Sequence, residues 1–263
     1  MFPFIHFQIF SKDILIPLYG LCIVAGLFSA AYTGVRLSKK SGQTLENFAI
    51  VATCTGFFGF LGAKIMYVLV TFPPSMYLSQ LANMQGGYVF YGGLILGPLG
   101  LYLGSRLAQS RILDFLNIFA CVLPLIHAFG RIGCFCAGCC YGIPYDGLFA
   151  VHYHNPITSV TPDIGIFPVQ LLESICNFIL FAILLIYTIR HLDTISKNFR
   201  VCLLYGAGYS VIRFFLEFLR GDSIRGGVGL LSTSQIVSIV LLLLIIIIFV
   251  IIKIVERHAR MVE

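Results

Sequence analysis

Charged residues are scarce in this chain: Asp, Glu, Lys and Arg make up 11% of its 263 residues. A soluble domain usually carries about 25% of them. Hydrophobic residues make up 59%, and the mean hydropathy is +0.96. One soluble core cannot bury so much apolar surface, so the composition excludes an ordinary soluble protein and indicates a chain surrounded by lipid.

The few charges present are unbalanced, with a formal net charge of +6. On a membrane protein, such an excess mainly reports the orientation of the spans and contact with anionic headgroups. We therefore expect the lipid bilayer, and no nucleic acid, among the partners of this chain.

The N-terminus, MFPFIHFQIFSKD, lacks the basic start and the small-residue cleavage site of a secretory signal peptide. We therefore expect the first long apolar run to be a retained span. The sequence also lacks the internal repeats that are typical of many transporters, which disfavours a transport protein.

Apolar runs long enough to cross a bilayer recur along the chain. A spanning helix needs about 20 mostly apolar residues, and its backbone groups must be hydrogen-bonded within the segment. The sequence predicts an all-α, polytopic integral membrane protein in which residues 1–263 form a single membrane domain. About seven spans are expected, at residues 14–35, 48–71, 88–108, 113–129, 168–189, 201–219 and 234–253.

Basic residues in the connections fall on one side of the membrane if there are seven spans. By the positive-inside rule that side is cytoplasmic, which places the N-terminus outside and the C-terminus in the cytoplasm. The loop at 132–167, predicted to be extracytoplasmic, contains no Lys or Arg. The basic residues that set this orientation are Arg36, Lys39, Lys40, Arg106, Arg111, Arg190, Lys197, Arg200, Lys253, Arg257 and Arg260.

Several arginines depart from this trend. Arg213, Glu217 and Arg220 occur in RFFLEFLR at i, i+4 and i+7, a spacing that predicts one helical face, and Arg131 lies at the outer end of span four. An ionisable group within a span costs at least about 2.5 kcal/mol, so it indicates function or pairing. Because a guanidinium binds two phosphate oxygens at once, the cluster indicates an anionic phospholipid site. The alternative is a structural ion-pair ladder in which Arg220 reaches the headgroups.

Two polar residues in FPVQLLES, Gln170 and Glu173, share a face of span five near its outer end. They are expected to hold an arginine or a substrate hydroxyl, and the alternative is an interhelical hydrogen bond. Lys64, within span two, is a further candidate counter-ion for a carboxylate.

Four of the nine cysteines fall within the stretch GRIGCFCAGCCYG. Their spacing, C-x-C-x-x-C-C, is not a usual zinc pattern, so no metal is expected. Three interpretations stay open. The thiols form a disulfide on the oxidising side of the membrane, or Cys134 or Cys139 is a reactive thiolate favoured by nearby Arg131. The favoured interpretation is small, weakly polar packing at helix ends.

Six segments, in order and spacing, make the chain resemble the prolipoprotein diacylglyceryl transferase family. The resemblance covers nearly the whole chain and implies a seven-span enzyme of the bacterial inner membrane. Within GRIGCFCAGCCYG, Cys134, Ala137 and Cys139 stand where the family has two asparagines and a glutamate. The six segments are YG at 19–20, GAKIMY at 62–67, GGYVFYGGL at 86–94, GRIGCFCAGCCYG at 130–142, FPVQLLES at 167–174 and RFFLEFLR at 213–220.

The resemblance implies transfer of the diacylglyceryl group of phosphatidylglycerol to the lipobox cysteine thiol in the signal peptide of a prolipoprotein, releasing glycerol phosphate without a cofactor. It implies that Arg131 binds the headgroup and that Arg213, held by Glu217, stabilises charge on the leaving phosphate. Tyr91 takes the position of the family's histidine and is expected to donate a hydrogen bond to phosphate. The predicted catalytic residues are Arg213, Glu217 and Tyr91, and the predicted substrate-binding residues are Arg131, Arg220, Tyr19, Gly92, Gly93, Gly130, Gly133, Gly142, Gln170 and Glu173.

Two other classes of function stay open from the sequence. One is a family paralogue that acts on another lipid or thiol acceptor, with Cys134 or Cys139 as a covalent nucleophile. The other is a non-enzymatic membrane protein that binds phospholipid. Release of glycerol phosphate in the presence of a lipobox peptide would exclude the second class.

Overall fold

The structure is a computed structural model that describes residues 4–9, 12–83, 87–153, 164–221, 227–229 and 231–262. Helices dominate these ranges, and the strands form two small antiparallel pairs, β1 with β2 and β3 with β4. The elements are β1 (Phe4–Ile9), β2 (Lys12–Pro17), α1 (Leu18–Lys40), α2 (Leu45–Thr71), α3 (Tyr77–Ala82), α4 (Phe90–Leu107), α5 (Ile112–Ala137), α6 (Val169–Arg190), α7 (Leu192–Ile195), α8 (Arg200–Leu216), β3 (Gly227–Val228), β4 (Leu231–Ser232) and α9 (Thr233–Val262).

Six helical segments in the described ranges are long and apolar enough to cross a membrane. They correspond to predicted spans one, two, four, five, six and seven, which confirms an α-helical, polytopic membrane protein. Large apolar side chains stay exposed along them, as on α9 from Leu243 to Ile254, because lipid rather than protein covers such faces. The six segments are Leu18–Lys40, Leu45–Thr71, Ile112–Ala137, Val169–Arg190, Arg200–Leu219 and Thr233–Ile254.

The predicted third span corresponds to α4, a shorter helix of 18 residues that lies antiparallel to α2. Glycines bring the two backbones together: a Cβ on Gly92 would meet the Gly62 carbonyl, and a Cβ on Gly62 would meet that of Gly92. The Val89 amide donates to the Ala63 carbonyl at 3.0 Å. Small residues at a helix contact are typical of membrane proteins, where packing rather than hydrophobicity holds helices together.

Two glycines on α4 provide a matched test of this contact. A Cβ on Gly100 would lie 2.5 Å from the Cys54 carbonyl oxygen and 2.8 Å from Phe58 Cβ, whereas a Cβ on Gly97 would have no atom within 4 Å. We expect Gly100→Ala to destabilise the protein by about 1–3 kcal/mol through overpacking. Gly97→Ala should be neutral or stabilising by up to about 1 kcal/mol, since alanine favours helix. Thermal unfolding in detergent measures both variants, and equal effects would contradict the close α2–α4 contact.

Two predicted boundaries are wrong, whereas span six ends at residue 219 as predicted. Span one begins at Leu18, because residues 12–17 form β2, whose Ile14 and Ile16 favour a strand. Span four continues through the glycines at 130 and 133 to Ala137, so the predicted loop at 132–167 begins six residues later. Helix α8 ends at Leu216 and continues as one 3₁₀ turn, Glu217–Leu219. Within the loop, residues 154–163 lie outside the described residues.

The chain divides into two compact units. The first comprises Met1–Thr33, Ala120–Thr188 and Arg200–Glu263, and the second comprises Gly34–Phe119 and Ile189–Phe199. The predicted arginine cluster belongs entirely to the first unit, whereas Tyr91 and the glycines beside it belong to the second.

Candidate active site

Glu173 organises the charged residues of the first unit. Pro168 precedes α6, and Glu173 lies in the second turn of that helix with only 1% of its surface exposed. One of its carboxylate oxygens lies 3.0 Å from Arg131 Nε. The other lies 3.7 Å from Arg213 Nη1 and 4.0 Å from Arg220 Nη1. Of the partners expected for Glu173, the structure therefore shows arginine, and it shows three of them.

A second carboxylate, Glu217, pairs with Arg213 Nη2, as expected from their spacing of four residues. The same nitrogen donates a hydrogen bond to Ser234 Oγ at 3.1 Å, which ties α8 to the start of α9. Arg213 and Glu217 are both almost fully buried. Three guanidiniums thus meet two carboxylates, so the cluster carries a formal net charge of one positive.

The expectation that Arg213, Glu217 and Arg220 lie on one helical face is wrong for Arg220. The helix has ended before this residue, and Arg220 has an extended backbone (φ −88°, ψ 137°). Its side chain nevertheless reaches Glu173. The chain can leave the helix here because the 3₁₀ turn ends with Arg220 N–H bonded to the Glu217 carbonyl.

The extended backbone at Arg220 pairs with the segment that contains Gly142. Gly221 N–H donates to the Tyr141 carbonyl at 3.1 Å, and Ile143 N–H donates to the Leu219 carbonyl at 3.0 Å. A Cβ on Gly142 would collide with the Phe167 and Leu219 carbonyls. Gly142 is therefore required by close backbone packing, and through this packing it fixes the loop beside Arg220.

Gln170 ties the same loop to α6. Its Nε2 donates to the Cys139 carbonyl at 2.9 Å and to the Tyr153 hydroxyl at 3.1 Å. Burial raises the pKa of Tyr153 to about 12, so its hydroxyl stays protonated at neutral pH. In the described structure, Gln170 is therefore hydrogen-bonded to a backbone carbonyl and to a neutral phenol. Glu173, three residues later, forms the ion pairs with the arginines.

Tyr19, Gly130 and Gly133 lie where α1 meets α5. A Cβ on Gly133 would lie 3.0 Å from Tyr19 Cδ2 and 3.3 Å from Cys22 Cβ, so the glycine permits this close approach. Gly130 has more room, since its Cβ would lie 3.7 Å from Ile23 Cδ1. Tyr19 is 43% exposed, in the first turn of α1, so part of its ring is accessible to a ligand.

The remaining predicted residues lie in the second unit. Tyr91, 41% exposed, occupies the first turn of α4. Gly92 and Gly93 face the backbone of α2 at Gly62 and Gly59. These two glycines have a packing role there, independent of any role in binding.

Lys64 is buried in α2 and does not face a carboxylate among the described residues. Its Nζ donates to the Asn83 carbonyl at 2.6 Å and lies 5.4 Å and 5.3 Å from the ring centroids of Tyr67 and Tyr88. The cation is therefore satisfied by a backbone carbonyl and two aromatic rings.

The structure adds two residues to the cluster that the sequence interpretation missed. Tyr209, one turn before Arg213 on α8, lies close enough to Glu173, Arg131 and Arg213 to interact with them electrostatically. Ser234 accepts from Arg213. The i−4 spacing of Tyr209 from Arg213 is a signal that sequence reasoning could have used, whereas nothing local in the sequence pairs Ser234 with Arg213.

Chemically, the cluster suits an anion at the membrane. Buried guanidiniums in a region of low dielectric attract a phosphate more strongly than they would in water. Glu173 and Glu217 orient the planar guanidinium groups and offset the repulsion among the three positive charges. Among the described residues, Arg213 Nη1 donates no hydrogen bond, so this buried arginine retains a donor for a ligand oxygen.

Known proteins with similar sequences agree on one family. The family profile described as prolipoprotein diacylglyceryl transferase matches residues 5–251. The phosphatidylglycerol–prolipoprotein diacylglyceryl transferase of Clostridium tetani is 35% identical over 84% of this chain and 87% of its own length. Phosphatidylglycerol–prolipoprotein diacylglyceryl transferase 2 of Clostridium perfringens is 33% identical over 85% of this chain and 86% of its own length. The Helicobacter pylori transferase is 28% identical over 85% of this chain and 84% of its own length. The chain belongs to the prolipoprotein diacylglyceryl transferase family.

Proposed function

We propose that this chain transfers the diacylglyceryl group of phosphatidylglycerol to the lipobox cysteine thiol of a prolipoprotein and releases glycerol phosphate. The observation that carries the proposal is the buried, net positive cluster of Arg131, Arg213 and Arg220 around Glu173, in a chain of this family. The relatives named above carry both substrates in their names.

The reaction forms a bond between the acceptor sulfur and a glyceryl carbon, and it breaks the bond from that carbon to a phosphate oxygen. Negative charge therefore moves from the thiolate to the departing phosphate. Arg131, the most exposed arginine of the cluster that contacts Glu173 (side chain 19% exposed), is proposed to bind the headgroup. Arg213 is proposed to stabilise the charge that develops on the leaving group, with Glu217 fixing its orientation.

Further residues are proposed to contact the substrate. Arg220 and Gln170 are proposed to act beside Arg131, with Gly130, Gly133, Gly142 and Tyr19 shaping the approach of the lipid. Tyr91, with Gly92 and Gly93, is proposed from the resemblance alone, and a hydrogen bond from its hydroxyl to phosphate is its assigned role. Residues 1–263 are proposed to act as a single membrane domain.

The reaction is proposed to take place at the outer face of the bacterial inner membrane. The positive-inside pattern supports this assignment, because it places the end of α5, which carries Arg131, on the extracytoplasmic side. The signal peptide of a prolipoprotein, itself anchored in the same bilayer, then brings its cysteine to that face.

Rescue of a bacterial strain depleted of its own transferase tests the proposal. We expect expression of this chain to restore growth and lipid modification of a reporter lipoprotein, read as a mass increase of its signal-peptide cysteine. Expression-matched Arg213→Ala should fail to rescue. Failure of the wild-type chain, at membrane levels equal to those of a rescuing relative, would overturn the proposed function.

A further inference from the structure

We propose that Cys134, Cys139 and Cys140 form a binding site for one thiophilic metal ion of the zinc group. Their three Sγ atoms all lie within 4.8 Å of one another. The spacing of the four cysteines in the sequence predicted no metal site, but the fold brings the sulfurs of three of them close together. The site is independent of the proposed transfer reaction.

The end of α5 brings the first two thiols together. Gly138 has a positive φ of 73°, its N–H donates to the Phe135 carbonyl at 3.3 Å, and Cys139 N–H donates to the Cys134 carbonyl at 3.1 Å. This is the Schellman arrangement, which places the side chains five residues apart, here those of Cys134 and Cys139, in contact. The helix terminus therefore fixes this pair of sulfurs through the backbone.

Cys140 completes the group through an unusual backbone conformation. Its φ is +58°, a left-handed conformation that residues with a side chain rarely adopt. In a thiolate site with metal–sulfur bonds of about 2.3 Å, the sulfurs lie about 4 Å apart. Because the present separations are no larger than 4.8 Å, an ion requires each sulfur to move by less than about 1 Å.

The loop that carries two of these thiols is held in place from outside. Gln170 donates to the Cys139 carbonyl, and the Gly221 and Ile143 amides pair with the carbonyls of Tyr141 and Leu219. A binding group that is already ordered loses little entropy when a ligand arrives. The three thiols are therefore already positioned for a ligand before an ion binds.

Thiolate ligands select soft ions such as zinc and its heavier group members. Three thiolates and a divalent ion leave one net negative charge. Arg131 and Arg220 act electrostatically on Cys140, and their positive charge compensates it. With three protein ligands, the fourth tetrahedral position stays open to water or another thiol.

A cadmium titration tests the site, with the ion itself as the probe. Purified full-length protein in detergent, reduced and freed of metal with a chelator, should bind one Cd²⁺ and develop a thiolate-to-metal charge-transfer absorbance. Cys134→Ser, Cys139→Ser and Cys140→Ser should each weaken binding by about 100-fold or more, since each loses a direct ligand. The matched controls Cys54→Ser and Cys202→Ser, on α2 and α8, should bind as the wild type does.

Two results would overturn the site. One is a wild-type protein whose three thiols react with a thiol reagent, and are therefore reduced and accessible, but which binds no ion. The other is a charge-transfer band that survives in a Cys139→Ser or Cys139→Ala variant with the wild-type thermal unfolding temperature. Because binding is measured without lipid or peptide, neither result depends on transferase activity.

Discussion

The Arg213→Ala variant is expected to lose diacylglyceryl transfer by at least about 100-fold, the usual cost of removing one donor that stabilises a developing charge. Arg213 is almost fully buried, pairs with both Glu173 and Glu217, and keeps one nitrogen without a hydrogen bond among the described residues. Removing it takes away a phosphate donor and lowers the formal net charge of the cluster from one positive to zero. Transfer of labelled diacylglyceryl from phosphatidylglycerol to a lipobox peptide measures the loss.

Arg111→Ala is the matched control for this variant. Arg111 also forms an ion pair with a carboxylate, Asp114 at 3.4 Å, but its side chain is 72% exposed. An exposed pair contributes little, about 0–1 kcal/mol, so this variant should retain wild-type transfer. Arg213→Lys keeps the charge but loses the planar fork, and it should stay strongly impaired. Wild-type rates in Arg213→Ala would contradict the proposed role of Arg213.

Glu173→Gln is expected to have the largest effect on stability. The substitution keeps the shape of the side chain but removes the charge that three arginines share. Breaking a buried ion pair on one side costs about 3–5 kcal/mol, because the remaining charge stays buried without compensation. We therefore expect a lower thermal unfolding temperature in detergent together with loss of transfer.

Two glutamate variants calibrate that result. Glu217→Gln removes a carboxylate whose ion pair is with Arg213, so it should destabilise the protein less than Glu173→Gln does. Glu46→Gln, on the exposed first turn of α2, should change neither stability nor transfer. A Glu173→Gln protein as stable as Glu46→Gln would show that Glu173 does not organise the cluster.

Most of the membrane architecture could be predicted from the sequence, because hydrophobic runs of about 20 residues have few alternatives in lipid. The errors occur at helix ends. The predicted loop at 132–167 begins within the GRIG motif, yet Gly133 lies within α5 where α1 approaches closely. Conversely, the aliphatic residues before Pro17 extended span one into what is a strand.

The composition of the site was predictable to a similar degree. An arginine or a carboxylate inside an apolar run costs free energy in lipid, which makes it a candidate functional residue. Arg131, Glu173 and Arg213 could therefore be selected from the sequence. That one carboxylate serves three arginines could not be foreseen, since Arg220 reaches Glu173 only after the chain leaves the helix. The cysteine group escaped prediction for the same reason, because backbone geometry after Ala137 decides which thiols meet.

Coupled turnover by the purified protein tests the central claim most directly. In vesicles that contain phosphatidylglycerol, with a lipobox peptide as acceptor, we predict release of glycerol phosphate in equimolar amount with modified peptide. Release should stop when the peptide cysteine is replaced by serine or when phosphatidylcholine replaces phosphatidylglycerol. A folded protein that releases no glycerol phosphate, or that releases it equally without the acceptor thiol, would contradict the account.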